Sequence, residues 1–422
     1  MADYIKTIEE LKEMVYKWDD IPQICDTIIL AAVLWESSDI HLEPLSSYVR
    51  LRYRRDGDLS EILEYQNFIH QWVIARFKIM ADLKIDESRI PQDWRISKTI
   101  SWKPLDLRVS TLPTVHWEKV VMRIIDKSKE IPKLESLWIE WQNGKIIKHA
   151  ISQPNGIILT SGPTGSWKST TLYSSLIMLN KPWVNIMTLE DPVENQVDGI
   201  NQSQVKPDIG YTFAYWIRTA LRQDPDIIMI WEMRDKETVD IAIEASLTWH
   251  LVFSTIHTNS AAETITRILN MWIQPFLIPA SVNAIIAQRL VKRLCKHCME
   301  PKEMKDIGSA TLVNVKKAIN MIPKEELQSR VWSKLRNPIF YKPVWCTKCE
   351  DTGYKWRVWM YEVLEIGSGV KEMILSGQSA FNINRQAIKD GMISLEQDGI
   401  MKALNWETSL EEVYRVAKSQ ND

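Results

Sequence analysis

The stretch ILTSGPTGSWKSTTLYSSL, residues 158–176, decides the fold class of this chain. It runs from an apolar strand through a glycine-containing turn into a helix, which is typical of a phosphate-binding loop with the spacing G-x-x-x-x-G-K-[ST]. Gly162, Lys168 and Ser169 stand at the required places, but Trp167 replaces the second glycine. The backbone N–H groups of such a loop wrap around phosphate oxygens and tolerate little side-chain bulk. The stretch is therefore a candidate phosphate site with one residue out of place.

The candidate ATP-binding residues of this stretch form the loop and the first turn of the helix. They are Gly162, Pro163, Thr164, Gly165, Ser166, Trp167, Lys168, Ser169 and Thr170. The Lys168 ammonium would neutralise charge on the β- and γ-phosphates, and the Ser169 hydroxyl would ligate Mg²⁺. A chance Ser/Thr-rich helix start is the alternative interpretation of this motif alone.

Polar side chains also follow the next three apolar strands. TLEDPVE places Glu190 at a strand end, DIIMI is followed by Trp231 and Glu232, and STIHTN carries His257 at its tip. An acidic residue after an apolar strand is typical of the Walker B position, which serves Mg²⁺ or the attacking water. Because the carboxyl ends of parallel strands meet at one edge of a sheet, we expect these groups near Lys168.

The order of the strand and helix patterns predicts an α/β protein. We expect an N-terminal mixed α/β domain, a charged linker containing Pro132, a core of alternating strands and helices with a parallel sheet, and a mainly helical C-terminal region. The boundaries of these four parts are 1–125, 126–138, 139–270 and 271–422.

Four of the five cysteines form two C-x-x-C pairs, Cys295 with Cys298 and Cys346 with Cys349. Two such pairs are typical of a tetrahedral Zn²⁺ site with four thiolates. Two disulfides are the alternative, which a cytosolic setting disfavours. We therefore expect a structural zinc subdomain at 295–352.

Composition and charge exclude some classes of protein. The formal net charge is −2, so no global basic field indicates nucleic acid binding. No apolar run approaches the length of a membrane span, and the N-terminal segment lacks the apolar core of a signal peptide. We expect a cytoplasmic protein whose membrane association comes only through partners.

Glycine and tryptophan have abnormal frequencies. Average usage predicts about 30 glycines in a chain of this length, whereas 14 are present beside 19 tryptophans. The tryptophans stand in polar, turn-like contexts such as YKWDD, PQDWRI and ALNWET, where glycine is the usual residue. A protein with many surface aromatic residues is the alternative explanation.

Taken together, these segments resemble the motor ATPases of type II secretion and type IV pilus assembly. The resemblance covers nearly the whole chain. It rests on SDIHLEP, RYRRDG, DLRVSTLPTVHWEKVVMRIID, the phosphate loop, TLEDPVE, LRQDPDIIMIWEMRD, LTWHLVFSTIHTN and AQRLVKRLCKHC with CTKCEDTGYKWRVWMYEVLEI. It implies a RecA-like ATPase core in a homohexameric ring that uses ATP, Mg²⁺ and Zn²⁺. It also implies an inner-membrane platform protein as partner and a peripheral location at the inner face of the cytoplasmic membrane.

The resemblance also implies roles for single residues. Glu232 and Glu190 would be acidic catalytic residues, and His250 and His257 would belong to a histidine motif. The implied arginines that approach the phosphates are Arg108, Arg123, Arg218 and Arg222, with Arg234 and Arg357 as further candidates. Pilus extension, secretion and DNA uptake are not distinguished, because the platform and the pilin choose the cargo.

The family has glycine at many of the places where this chain has tryptophan, Trp167 included. We interpret these tryptophans as the product of UGA codons. The organism would read UGA as glycine, whereas the sequence was translated with a codon table that reads UGA as tryptophan. If the tryptophans are real, the alternative is a structural ring subunit that cannot seat a triphosphate.

Overall fold

The computed structural model describes residues 2–18, 20–128, 130–137, 139, 141–206, 209–302, 306–335 and 338–417. The chain divides into two compact units, Met1–Glu130 and Ile131–Asp422. Positions 129 and 138 of the predicted linker lie outside the described residues. Among the residues described, no helix is both long and apolar enough to cross a membrane.

The N-terminal unit is an antiparallel sheet with helices. Its described strands follow the order β3-β2-β1-β6-β5-β4, and apolar side chains of the helices and the strands form one core. The elements are α1 (Ala2–Lys17), α2 (Ile21–Leu34), β1 (Asp39–Pro44), β2 (Tyr48–Arg55), β3 (Asp58–Gln66), α3 (Asn67–Met80), β4 (Gln92–Ile100), β5 (Lys103–Thr114) and β6 (Trp117–Asp126).

The sequence predicts a hairpin around Asp56 and Gly57, and this prediction is confirmed. Strands β2 and β3 pair antiparallel on either side of these two residues, which have φ angles of 49° and 96°. Asp and Gly are among the residues that adopt these angles readily, so the turn follows directly from its sequence.

The second unit contains the parallel sheet. The helices and strands of its first part are α4 (Trp141–Ser152), β7 (Gly156–Ser161), α5 (Lys168–Leu179), β8 (Ile186–Glu190), β9 (Asn201–Gln204), α6 (Phe213–Ala220), β10 (Ile227–Ile230), α7 (Lys236–Leu247), β11 (Leu251–Ile256), α8 (Ala261–Asn270) and α9 (Leu277–Ser281). The described strands lie in the order β15-β12-β7-β11-β10-β8-β9, where β12 is Val282–Leu294 and β15 is Tyr354–Glu365.

Strands β7, β11, β10 and β8 are adjacent and parallel. Every residue of β7, β10 and β11 is buried, as expected for a sheet with helices on both faces. The carboxyl ends of these strands therefore lie side by side, and the loops that follow them share one edge.

The C-terminal region contributes helices, as the sequence predicts, and also two long strands of the same sheet. Strand β12 pairs parallel with β7 and antiparallel with β15. The remaining elements are β13 (Glu300–Lys302), α10 (Ser309–Asn320), α11 (Lys324–Arg330), α12 (Trp332–Leu335), β14 (Phe340–Lys342), α13 (Ser368–Leu375), α14 (Ala380–Lys389), α15 (Leu395–Leu404) and α16 (Leu410–Val416). Positions 303–305, 336 and 337 of the predicted zinc insert lie outside the described residues.

Candidate active site and metal centre

The phosphate loop follows β7 and ends where α5 begins. Gly162 has a φ of 151°, and a Cβ there would lie 2.6 Å from Ser166 Oγ and 2.7 Å from the Gln288 carbonyl oxygen. Only glycine therefore fits at position 162. The helix N-terminus that follows is directed at the loop, which is the arrangement that binds an anion.

The Lys168 side chain folds back onto this loop. Its Nζ donates to the carbonyl oxygens of Gly162, at 2.9 Å, and Pro163, at 3.2 Å. Burial lowers the pKa of Lys168 to about 8, although the nearby Glu232 carboxylate opposes this effect. The ammonium is thus poorly solvated, and these two hydrogen bonds are to neutral carbonyl oxygens. An incoming phosphate group would therefore stabilise its charge.

Trp167 occupies the N-cap position of α5 with φ 64° and ψ 37°. Its ring lies 5.5 Å from that of Trp359, measured between centroids, and the Arg357 guanidinium lies 5.5 Å from its centroid. A left-handed conformation strains a residue with a bulky side chain but not glycine. The backbone at position 167 therefore has the geometry that glycine prefers.

Glu232 and His257 meet beside the loop. His257 Nε2 lies 3.5 Å from Glu232 Oε1, and Arg234 Nε donates to Glu232 Oε2 at 2.6 Å. Burial lowers the pKa of His257, and the Lys168 charge lowers it further. The Glu232 side chain is 12% exposed, so it is enclosed but can still be reached by a water molecule.

Glu190 lies at the end of β8 but has different surroundings. It is fully buried and accepts hydrogen bonds from the Tyr173 hydroxyl, the Thr188 hydroxyl and the Gln202 amide. Burial raises the pKa of Glu190 despite these donors. The sequence did not indicate these partners, because Tyr173 belongs to α5 and Gln202 to β9.

The other predicted residues occupy several places. His250 precedes β11, at the opposite end of that strand from His257, and its Nδ1 lies 2.9 Å from the Ala245 carbonyl oxygen. Arg218 donates to Glu237, and Arg222 donates to the Arg218 carbonyl oxygen. In the N-terminal unit, Arg108 and Arg123 are directly opposite each other on β5 and β6, and Arg123 Nε donates to Asp39 at 3.0 Å.

The four cysteines of the two C-x-x-C pairs come together. Their Sγ atoms all lie within 4.8 Å of one another, with separations of 3.9 Å for Cys295–Cys346, 3.7 Å for Cys298–Cys349 and 3.6 Å for Cys346–Cys349. Four sulfurs at Zn–S bonds of about 2.3 Å form a tetrahedron with edges of about 3.8 Å. A disulfide requires about 2.05 Å between sulfurs, so the arrangement fits a metal and not disulfides.

Backbone groups support the thiolate form of Cys349. Burial opposes charge on Cys349, but N–H groups of Cys346 and Gly353 are directed at its Sγ, at 3.4 Å and 3.3 Å, and the pKa of Cys349 falls to about 7. These four residues would hold Zn²⁺ as a structural ion, because a complete set of four protein ligands leaves no open position for chemistry.

Comparison with known proteins agrees with this geometry. A model of the family described as "Type II/IV secretion system protein" matches residues 17–415. The "Type IV pilus assembly ATPase PilB" of Myxococcus xanthus is 43% identical over 408 residues, which cover 96% of this chain and 69% of that protein. The "Type II secretion system protein E" of Aeromonas hydrophila is 40% identical over 421 residues, covering 99% of this chain and 80% of that protein.

A solved structure confirms the predicted fold class. The ATPase DotB of Legionella pneumophila has a TM-score of 0.66 and 20% identity, and the match covers 94% of this chain and 95% of that chain. The match to the family model and the identities to its relatives show more than the fold. The chain belongs to the family of type II/IV secretion system proteins.

Proposed function

We propose that this chain hydrolyses ATP to ADP and phosphate, and that as a homohexameric ring it powers type IV pilus assembly or type II secretion. The observation that carries the proposal is the shared sheet edge, where Lys168, Glu232 and His257 follow the adjacent strands β7, β10 and β11. Relatives named "Type IV pilus assembly ATPase PilB" and "Type II secretion system ATPase E", at 43% and 41% identity, support the same activity.

The roles follow from the surroundings of each group. Lys168 exchanges its two loop carbonyl partners for β- and γ-phosphate oxygens. Ser169 would hold Mg²⁺, which would neutralise charge on the phosphates. Glu232 orients the attacking water. His257 and Arg234 hold the Glu232 carboxylate in place.

Arginines complete the proposed site. Arg108 and Arg123 are the candidates that would neutralise charge at the γ-phosphate. Arg218 and Arg222 are further candidates for contact with nucleotide. The zinc centre is structural, and an inner-membrane platform protein is the partner that places the ring at the inner face of the cytoplasmic membrane.

We also propose that residue 167 is glycine in the cell. Sixteen non-glycine residues in the described part of the chain have positive φ, and eight of them are tryptophan: Trp18, Trp102, Trp117, Trp167, Trp249, Trp272, Trp356 and Trp406. Such angles are rare for bulky residues. Tryptophan supplies half of these residues but only 19 of 422 residues overall.

The energetic cost supports the same proposal. Seven of the eight tryptophans have φ between 57° and 70°, where each residue other than glycine is destabilised by about 1–2 kcal/mol. The sum, about 7–14 kcal/mol, is as large as the whole stability of a typical domain. Glycine at these positions removes this cost and opens the phosphate loop.

Mass spectrometry of the native protein tests the codon proposal. The peptide covering residues 158–176 has the mass of glycine at position 167 if the proposal is correct. The mass of tryptophan there would overturn it and would favour the second candidate function. In that case the Trp167 ring, packed against Trp359 and Arg357, blocks the loop, and the chain is a ring subunit without hydrolysis.

Lys168→Ala tests the enzymatic proposal. It is made in the glycine-corrected protein, defined as the chain with glycine at the eight positions above. We expect ATP turnover to be lost and the zinc content to be unchanged. Lys168 lies far from the four cysteines in the sequence, and its hydrogen bonds are to the phosphate loop. Turnover that persists in Lys168→Ala would contradict the assignment of the site.

A further inference from the structure

Gln288 is a fully buried polar residue of β12 beneath the phosphate loop. Its Nε2 donates to the Ser166 carbonyl oxygen at 2.6 Å, and its Oε1 accepts from the Thr171 hydroxyl at 2.8 Å. Both ends of the amide are therefore used. A buried amide with both partners in place holds those partners in a fixed geometry.

The two partners of Gln288 flank the residues that would bind phosphate and Mg²⁺. Ser166 precedes Lys168 and Ser169, and Thr171 follows them in the first turn of α5. Gln288 thus bridges the last part of the loop and the start of the helix. Movement of this segment away from β12 would stretch these two hydrogen bonds.

Strand β12 gives Gln288 a rigid support. It pairs with β7 on one side and with β15 on the other, and the residue before Gln288 is opposite Ser161, the last residue of β7. The support also reaches the second loop of the site. The next residue, Arg289, donates through Nη2 to the carbonyl oxygen of Asn259, which lies two residues after His257, at 2.7 Å.

We propose that Gln288 is a positioning residue for nucleotide binding. It fixes the phosphate loop against β12 on both sides of Lys168 and Ser169, so that the loop is already formed before nucleotide arrives. This inference rests on the proposed ATPase function. A residue that only stabilised the core would change the free energy of unfolding without changing the affinity for nucleotide.

Gln288→Leu and Gln288→Glu in the glycine-corrected protein test the proposal. Leucine removes both hydrogen bonds, and glutamate keeps the shape but presents a carboxylate oxygen to the Ser166 carbonyl oxygen. Leaving a buried carbonyl without its donor is costly, and we expect the KM for ATP and the Kd for a fluorescent ATP analogue to rise about tenfold or more in both variants. The matched control is Gln397→Leu, another buried glutamine, which caps α15 and should leave both constants unchanged.

Thr171 provides a second route that leaves β12 intact. Thr171→Val should weaken nucleotide binding, Thr171→Ser should restore it, and the double variant Thr171→Val/Gln288→Leu should lose less than the sum of the two single effects. These variants decide the question if the Gln288 variants do not fold. A Kd within twofold of the parent in folded Gln288→Leu or Thr171→Val would overturn the proposal.

Hydrogen exchange without nucleotide separates this proposal from the proposed function. Backbone amides of residues 162–171 should exchange at least about tenfold faster in Gln288→Leu than in the parent, with no change in Gln397→Leu. If the parent neither binds nor hydrolyses ATP, the proposed function fails, and the exchange rates still test whether Gln288 holds the loop. Equal exchange rates in parent and Gln288→Leu would contradict the inference.

Discussion

At the scale of single residues, Glu190 and Glu232 have similar places in the sequence and different surroundings in the fold. Both stand at the end of an apolar strand, and the sequence predicts catalytic roles for both, with Glu232 as the first candidate. The structure buries Glu190 completely among three donors, whereas Glu232 keeps some exposure beside His257. The geometry therefore favours Glu232 as the group that contacts water.

Replacement of each glutamate by glutamine should separate these two roles. In the glycine-corrected protein, Glu232→Gln should lower kcat by about 100-fold or more, because a neutral amide cannot take a proton from water. Nucleotide affinity should be retained. Glu190→Gln keeps the shape of the side chain and should change kcat by only a few fold. Steady-state ATPase assays measure both, and a larger effect at Glu190 would reverse the assignment.

Lys168 should take up protons when ATP binds under alkaline conditions. Its pKa is lowered to about 8 in the free protein because the ammonium is buried, and bound phosphates should raise it toward the ordinary value of about 10.4. At about pH 8.5 part of the free protein is therefore neutral at Lys168 and the complex is charged, so affinity falls as the pH rises through this range.

Isothermal titration calorimetry measures this uptake directly. The apparent binding enthalpy at about pH 8.5 should change with the ionisation enthalpy of the buffer, in the direction of proton uptake. Lys168→Arg is the control, since a guanidinium remains charged at this pH and should show no uptake. Enthalpies independent of buffer in the parent protein would contradict a lowered pKa for Lys168.

Residue positions on the sheet edge were predictable, but their partners were not. The places of Lys168 and His257 could be predicted because each residue comes after an apolar strand in the sequence. The Glu190–Tyr173 contact and the Gln288–Ser166 contact join residues 17 and 122 positions apart. Such contacts depend on which helix and strand pack together, and no local pattern encodes this. A Gln-Arg pair within an apolar stretch was the available signal for Gln288.

At the scale of elements, the turn between β4 and β5 shows clearly that tryptophan stands where the backbone conformation favours glycine. Two residues, Ser101 and Trp102, join the strands, with φ angles of 49° and 65°. A two-residue hairpin with two positive φ angles is a type I′ turn, in which glycine is strongly preferred at the second position. The Trp102 side chain is 95% exposed, so it gains little packing in return for the strain.

In the chain that carries tryptophan at all eight positions of positive φ, Trp102→Gly should therefore stabilise the protein by about 1 kcal/mol. The matched control is Trp72→Gly, because Trp72 is also exposed but lies in α3. Glycine in a helix is disfavoured, so this variant should destabilise the protein by about 0.5 kcal/mol. Urea unfolding measures both values. Equal signs for the two variants would mean that backbone conformation does not govern these sites.

The cysteine centre gives a second prediction for an element. The protein should contain one zinc ion per chain, because the spacing of its four Sγ atoms matches tetrahedral coordination. Cys346→Ser should abolish zinc binding and expose the insert to proteolysis. Cys25→Ser is the control, since Cys25 is buried in the core of the N-terminal unit. Zinc is measured by elemental analysis, and full occupancy in Cys346→Ser would contradict the four-thiolate site.

Strand β12 shows why some elements were not predicted. Its sequence VNAIIAQRLVKRL contains Ala, Gln, Arg, Leu and Lys, which are good helix formers, and a helical pattern was expected after residue 270. In the fold, β12 has strands on both sides, and apolar residues such as Ile285 and Ile286 on its two faces are buried. Pairing across the sheet overrides the local preference, and it links residues far apart in the chain.

At the scale of the whole molecule, the two units have separate cores. The N-terminal core is formed by residues between Leu11 and Met122, and the cores of the second unit begin at Leu134. Lys168, Glu232, His257 and Gln288 all belong to the second unit, whereas Arg108 and Arg123 belong to the first. This division predicts that binding and hydrolysis of nucleotide depend on different parts of the chain.

The fragment of residues 131–422, with glycine at its tryptophan positions of positive φ, should therefore fold and bind ATP without turning it over. Its affinity should stay within a few fold of the full chain, because the phosphate loop and its support on β12 are intact. Its turnover should fall by about 100-fold or more, since removal of a group that stabilises transition-state charge has effects of this size.

Two variants of the full chain show whether the arginines cause that loss. Arg108→Ala/Arg123→Ala should reproduce the low turnover and the retained affinity of the fragment. Arg89→Ala is the control, because Arg89 is an exposed arginine of the same unit paired with Glu87, and it should turn over ATP like the parent. A fragment that hydrolyses ATP at the rate of the full chain would show that the N-terminal unit supplies nothing to the reaction. A folded fragment that does not bind ATP would show instead that the phosphate site needs the N-terminal unit to form.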